Sequence, residues 1–534
     1  MFLSLDLFLM YLFRFFLCSC CCVSCVRELR VLPPTSLVER ERAGPSGIAA
    51  LGALVREGFT DVRCFERRGE VGGTWVYDDV PKDCDVRRDD PTADHSWNAI
   101  YPTLVTNVPA EIMPFTYAPF PDLPPGSTIN PLWRHYTIVM SYLQRLAAPF
   151  LHLISLNTSV ESARKVGDEW EVRVRRGEEE WTETFDAVVV CSGHYSVPYM
   201  PDIKGLKEYE AKWKGRVSHT KEFRVPEAFR DKNVLVIGGN ISAFDLCKAI
   251  LPVAKRPVHV STRSRHPMFP DALSSAESVI VPHGVVSAFH PEDGSIEFAD
   301  GQVLRDVDHV IIATGYKWSF PFLGQGATNK DLRIRNTYWH TFDRDDPTLT
   351  YVGTAANSIS FRVFEYQAVA IARVFSGLGR LPSVSEMKAW EDARVEAVGD
   401  GSLFHIVGWR GAKAFAGAMR GIAGLEDGKG GEKVLPRWRE EWERCLEEGI
   451  KVRNAAHTLS ISGRCSRVDL DDHLLSVTIP FDGHRALHVP DYHSLTLPET
   501  RSHSSDPQRL HGDCDVIFTA GQRRYLESNS RRLG

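Results

Sequence analysis

Between about Gly44 and Pro382 the chain alternates short apolar runs with stretches whose apolar residues recur at helical spacing. VLVI at 234–237 and HVII at 309–312 are runs of the first kind, written as strands covered on both faces are written. IAALGALVREGF at 48–59 is of the second kind. The alternation predicts βαβ units and a doubly wound parallel sheet, an α/β fold. Residues 383–450, with Trp390, Trp438 and Trp442 among many charges, read as a helical closing segment. From residue 451 onward Ser, His, Arg and Asp dominate without periodicity, as in SHSSDPQRLHGD at 502–513, which predicts a poorly ordered tail.

The start of the chain is unlike the rest. Residues 1–26 are mostly apolar and long enough to cross a bilayer, yet Asp6 and Arg14 interrupt them. A secretory signal wants positive charge ahead of its apolar stretch, and here the first basic residue is Arg14, in its middle. A membrane anchor, a cleaved signal and sequence foreign to the fold all stay open, so the expected location is cytoplasmic or membrane-associated.

Composition narrows the picture only a little. A chain of 534 residues exceeds one hydrophobic core and implies two or more domains. Hydrophobic residues at 43% and charged residues at 25% are the balance of a globular protein. The net charge of -6 and the lack of a basic stripe give no reason to expect a nucleic-acid partner. Five of the twelve cysteines lie between Cys18 and Cys25 and the others are scattered, which is no disulfide framework. The CxxC pair Cys22 and Cys25 lacks the second pair a metal site requires, so no metal is expected.

Two segments carry dinucleotide chemistry. Gly44, Pro45, Ser46 and Gly47 open an apolar helix, and the strand DVRCFE then ends in Glu66, 19 residues after Gly47. Gly44 lets the backbone approach a pyrophosphate, the helix offers its N-terminal amides, Gly47 permits close packing, and the acid meets a ribose hydroxyl, an order that suits FAD. Either the strand that ought to precede the turn is absent, or a poorly matched segment substitutes for it. LVERER occupies 37–42, with Arg42 where the first glycine belongs, and no central parallel strand carries such charges. This puts retention of FAD in question. At 232–247, by contrast, an apolar strand runs straight into Gly238, Gly239 and Asn240, followed by Ser242 and Ala243 in a helix. Asn at the second glycine position tolerates unusual backbone angles, and Ala is acceptable at the third. The next strand ends in Ser261, Thr262 and Arg263 rather than an acid, which favours the 2′-phosphate of NADPH over NADH.

Further motifs resemble those of the flavin-containing monooxygenase family, the FAD- and NADPH-dependent class B flavoprotein monooxygenases. WKGRVSHTKEF at 213–223 resembles the family's FxGxxxHxxx(Y/F) fingerprint, with Gly215, His219 and Phe223 in place and Trp213 for Phe. Gly72, Gly73, Thr74 and Trp75 resemble its GGxW, LVTNVP at 104–109 its LxTNxP, and FDAVVVCSGHYS at 185–196 and HVIIATGY at 309–316 its two strand-to-ATG motifs, the second containing Thr314 and Gly315. EYQA at 365–368 resembles a late ExQ motif, and together the matches span roughly residues 43–410. The resemblance implies two Rossmann-like domains, the NADPH domain at 201–316 inserted in a discontinuous FAD domain at 39–200 and 317–450, with 1–38 an atypical apolar segment and 451–534 a tail. It places Asn107 at the reactive flavin edge as the catalytic candidate, hydrogen-bonding the oxygenated flavin or bound NADP, with Thr106 beside it. His219 reads as a support for the linker between domains.

The implied activity is oxidation of a soft nitrogen or sulfur nucleophile in a small molecule, with molecular oxygen and NADPH, through a flavin hydroperoxide. The cofactor carries the hard chemistry, so no catalytic triad is required. Ketone oxidation of the Baeyer-Villiger type ranks second, because Phe223 is followed by Arg224 instead of the Pro or Asp usual there. A disulfide reductase ranks low, its only CxxC preceding the first glycine turn. A non-catalytic remnant that has lost flavin is the reading from another class, motivated by the damaged first strand.

Overall fold

The computed structural model describes residues 14–16, 23–26, 44–80, 97–123, 127, 130–263, 279–324, 326–328, 333–425 and 430–461. The charged segment 37–42 with Arg42, Cys22 of the CxxC pair, and all residues after Ile461 lie outside the described residues.

The uncharged apolar runs are strands. Val217–His219, His309–Ile312, Asn233–Ile237, Lys255–Ser261 and Ile280–His283 form, in that spatial order, a five-stranded parallel sheet. Alternation within the central strand sorts its side chains into two cores. Val234 and Val236 pack with the helix Ile241–Ile250 on one face, while Leu235 and Ile237 pack with Tyr209, Phe289 and Ile296 on the other. Both faces are dry, as a parallel sheet requires.

The second body is built around the helix Pro45–Arg56, buried on every side from Pro45 to Leu54 and packed against the helix Ser360–Phe375. Asp61–Phe65 pairs in parallel with Ile154–Ser155, and Ala187–Val190 in parallel with Leu349–Tyr351. An antiparallel meander, Ser159–Val166, Glu169–Arg176 and Glu179–Phe185, lends Trp170, Val172, Val174 and Phe185 to the same core.

Two adjacent chain segments join the bodies. Val197–Pro198 leaves the second body and Tyr316–Lys317 returns from the first, hydrogen-bonded as a two-stranded antiparallel ribbon. Beside it Tyr199 N donates to Gly315 O (2.8 Å) and Thr314 Oγ1 to Tyr199 O (2.5 Å).

Two elements differ from the sequence expectation. Pieces of the apolar N-terminal segment belong to the second body: Arg14–Phe16 pairs in parallel with Asp61–Phe65, and Val23–Val26 pairs antiparallel with Ala187–Val190. The physical reason is that buried strands with an unpaired backbone edge require a partner, and strands from the N-terminal run supply it. Among the described residues no helix is long and apolar enough to cross a membrane. At the other end, the last described helix, Glu440–Ile461, runs eleven residues beyond the expected start of the tail at 451. Val452 is buried and Arg453 is ion-paired, so the helix still has a partner there.

Candidate active site

The first glycine turn presents an uncapped helix end. Gly44 holds the N-cap position of Pro45–Arg56 in an extended conformation, Pro45 preorganises the first turn, and the N-cap makes no side-chain hydrogen bond to the amides that follow. Backbone closes in around them. Gly73 has φ +54°, and a Cβ there would stand 2.9 Å from Gly44 Cα; Gly353 has φ +96°, and its Cβ would stand 2.5 Å from Ser46 Oγ. Three glycines therefore converge on one helix start, leaving a cradle of backbone that side chains would fill. Only four residues separate the helix from Asp61–Phe65, so the strand runs back along it and returns Glu66 towards the turn. Glu66 is fully buried, its Oε1 accepts from Arg68 N (2.8 Å), and its backbone is held by Ser155 O and Thr158 N. An uncapped helix start beside a buried carboxylate at a strand end fits a dinucleotide of the FAD kind.

The GGxW segment is a short 3-10 helix, Gly73–Trp75, with Trp75 edge-on to Phe361. Asn98, buried, donates from Nδ2 to Gly73 O (2.8 Å) and Val76 O (3.1 Å) and so holds this segment over the cradle.

The second turn has the same design with one correction. Gly238 has φ +139°, and its Cβ would stand 2.3 Å from Ala313 O. Asn240 does not use an unusual backbone angle: its φ is -103°, and it serves as N-cap of Ile241–Ile250, its side chain accepting from Ile241 N (2.8 Å). Asn is here because it caps. Ser242 is exposed and Ala243 buried. Gly238 N donates to Ser261 O (2.9 Å), joining the turn to the next strand end. Ser261 Oγ donates to Gly284 O (2.8 Å), and Arg263 at that strand end is exposed, a cation that could meet a 2′-phosphate. Ala313, against which Gly238 packs, leads directly into Thr314 and Gly315.

Thr106 and Asn107 sit on a pinned loop. Tyr136 N donates to Leu104 O (3.1 Å), Thr106 N to Arg134 O (2.8 Å) and Ala110 N to Leu132 O (2.8 Å). Thr106 is buried, its Oγ1 accepting from Arg134 N, while Asn107 stands exposed between the pins. Pinning on both sides gives an exposed amide a defined position.

The fingerprint 213–223 proves to be supporting structure. His219 is wholly buried, and burial depresses its pKa to about 3, so the ring is neutral. Nδ1 accepts from Lys221 N (3.1 Å), which leaves the proton on Nε2 to donate to Gly315 O (3.1 Å) in the return linker. His219 N donates to Glu222 Oε1 (2.7 Å), completing a capping box. Phe223 packs edge-on against Tyr101.

Sequence reasoning missed several supports. Arg224, considered only for what it follows, donates from Nε to Asp78 O (2.9 Å) and from Nη2 to Asn98 O (2.8 Å), tying the fingerprint to the GGxW region. Lys221 donates to Ser196 O (2.6 Å). Gln367 of the late ExQ motif is buried, its Oε1 accepting from Gly353 N (2.9 Å), and so fixes the third glycine of the first cradle. Glu365 is buried too, which raises its pKa, and accepts from Thr116 N and Oγ1. Gly353 had a local signal, a glycine just after the strand Leu349–Tyr351, but Asn98 and Arg224 had none.

Comparison with known proteins adds family to geometry. Residues 41–270 and 264–400 match the family described as flavin-binding monooxygenase-like. Flavin-containing monooxygenase FMO GS-OX3 of Arabidopsis thaliana is 33% identical over 436 residues, covering 75% of this chain and 90% of that one. FMO GS-OX-like 2 of the same plant is 36% identical over 374 residues, 67% of this chain and 78% of its own. Among solved structures, S-allyl-L-cysteine S-oxygenase from Allium sativum superposes with a TM-score of 0.67 at 28% identity, covering 81% of this chain and 95% of that chain. Tmm from Pelagibacter sp. strain HTCC7211 shares the fold, with a TM-score of 0.60 at 22% identity over 78% of this chain and 90% of its own.

Proposed function

The chain belongs to the flavin-binding monooxygenase-like family, its Arabidopsis relatives named above are flavin-containing monooxygenases, and on that premise we propose that it couples NADPH and molecular oxygen to oxidation of a soft nucleophile. NADPH, a proton, oxygen and a thioether or amine enter; NADP+, water and the substrate S-oxide or N-oxide leave. One observation carries the reading: two glycine cradles, each a helix start enclosed by backbone, lie in bodies joined by a hydrogen-bonded double linker. Flavin, when bound, would supply the electron relay and the oxygen activation.

The chain's own residues bind, orient and exclude water. The amides after Gly44 and Pro45, at Ser46 and Gly47, hold the FAD pyrophosphate, and Glu66 accepts the ribose hydroxyls. Gly73, Thr74 and Trp75, fixed by Asn98, close over that site. Gly238, Gly239, Asn240, Ser242 and Ala243 receive the NADPH pyrophosphate, and the Arg263 guanidinium its 2′-phosphate beside Ser261. Thr314 and Gly315 carry the linker past this turn. Thr106 anchors the loop from which Asn107 would hydrogen-bond the flavin edge or bound NADP.

Sulfur is the first substrate class to try, because the solved relative at 28% identity is named as an S-oxygenase. The test begins with the visible spectrum of the full chain after desalting, followed by NADPH consumption with a thioether and with a tertiary amine and by the mass of the product. A flavin spectrum with substrate-stimulated NADPH use and a gain of one oxygen atom supports the proposal. A folded but colourless protein that no added FAD restores overturns it.

A further inference from the structure

The helix Glu440–Ile461 plays no part in either cradle, yet one face of it reaches both bodies. Trp442, Cys445 and Leu446 form a small buried cluster with Ile112 and Ile359, and Val108 packs against it. Cys445 Sγ also approaches Glu111 Oε2 (3.7 Å). One turn further on comes Gly449, where an added Cβ would stand 2.4 Å from Pro109 Cγ and 3.6 Å from the Trp133 ring. One more turn brings Arg453, which pairs with Asp245 and lies over the ring of Trp133, 6.0 Å from its centroid. Residues 442, 445, 446, 449 and 453 repeat at the spacing of a single helical face.

The partners of that face are telling. Val108, Pro109, Glu111 and Ile112 belong to the loop that carries Asn107, and Trp133 to the strand-like segment that pins it. Asp245 belongs to Ile241–Ile250, the helix whose start is the second glycine turn. We infer that Glu440–Ile461 is a strut that sets the Asn107 loop in register with the second dinucleotide helix, with Gly449 as its close-contact point and the Arg453–Asp245 pair as its latch. Gly449, Arg453 and Asp245 are positioning residues: they act through Pro109 and the helix, not on a ligand. The ion pair is partly buried, with side chains 13% and 22% exposed, so it is screened less than a surface pair. The inference rests on the assignment of Asn107 and of the NADPH site for its catalytic consequence, but not for the mechanical link itself.

Two readouts keep these apart. In the full chain, Arg453→Glu, Asp245→Arg and the double exchange are compared by hydrogen exchange of peptides covering 104–113 and 241–250. They are compared also by NADP+ affinity and by hydrogen peroxide released per NADPH consumed. The strut predicts that each single variant speeds exchange in both peptides, weakens NADP+ binding five- to twentyfold and raises peroxide release, with flavin content unchanged. The double exchange restores all three towards wild type. Faster exchange confined to residues 450–461, or single variants with wild-type exchange in both peptides, overturns the inference. If the wild-type chain neither holds flavin nor oxidises NADPH, the function assigned above fails while the exchange data still decide the strut. Gly449→Ala is the independent check, expected to disturb 104–113 and not 241–250; an undisturbed loop contradicts the close-contact role.

Discussion

Gly238→Ala is the substitution whose consequence can be worked furthest. The methyl group would stand 2.3 Å from Ala313 O and 2.7 Å from its carbonyl carbon. An ordinary carbon-to-oxygen contact is about 3.3 Å, so the turn and the strand end must separate by roughly 1 Å. Neither side yields easily, because Ala313 N is bonded to Ile237 O (2.7 Å) and Gly238 N to Ser261 O (2.9 Å). The φ of +139° adds about 1–3 kcal/mol of backbone strain for any residue with a Cβ. Relief moves the start of Ile241–Ile250 away from its place, and the amides that would hold a pyrophosphate move with it. A loss of about 2 kcal/mol in dinucleotide binding corresponds to roughly 30-fold weaker affinity. The assay is calorimetric titration of the flavin-loaded protein with NADP+, alongside flavin content and thermal unfolding. The expected result is NADP+ affinity down by about an order of magnitude or more, flavin content unchanged, and a fall of a few degrees in Tm. Affinity within twofold of wild type would refute the assignment of this turn to NADPH. Loss of flavin alongside it would refute the independence of the two cradles.

Three further outcomes are expected. Arg263→Glu replaces the cation available to a 2′-phosphate with a charge that repels it, so the KM for NADPH should rise tenfold or more while that for NADH changes little; equal effects on both would remove Arg263 from the site. Asn98→Ala strips the buried carbonyls of Gly73 and Val76 of their donor, a cost of about 1–3 kcal/mol, and should lower the flavin retained per chain after desalting; full retention with an unchanged Tm would show that the GGxW segment needs no such support. His219 is neutral in the folded protein, its pKa held down at about 3 by burial against an unfolded value of about 6.5. Between those values the unfolded chain binds the proton that the folded one refuses. Stability therefore falls as pH drops below about 6.5, by up to roughly 1.4 kcal/mol per pH unit for this group. His219→Gln, which keeps a donor and an acceptor, should flatten the decline in Tm between pH 7 and 5, and an identical slope would assign the decline to other groups such as His405 and His194, also depressed by burial.

What the sequence determined by itself is what lies within one βαβ unit. The uncharged run before Gly238, the helix after it and the strand that leads into Arg263 are written within about 30 consecutive residues, and period and turn chemistry suffice to read them. The helix after Gly44 and the buried acid at Glu66 were legible for the same reason. Tertiary structure decided what depends on chain-distant partners. Nothing in the local pattern says that Gly353 and Gly73 close on the start of Pro45–Arg56, because the three segments are far apart in the chain and meet only through packing. Asn98 and Arg224 look like ordinary polar residues until the carbonyls they hold are seen. Asn240 was legible as a turn residue, but capping and positive φ are both open to Asn, and only the backbone distinguishes them. The charged segment before Gly44 disqualified itself as a strand. That strands from residues 14–26 pair instead with Asp61–Phe65 and Ala187–Val190 follows from the backbone hydrogen-bonding demand of those buried edges, a demand that no local sequence pattern displays.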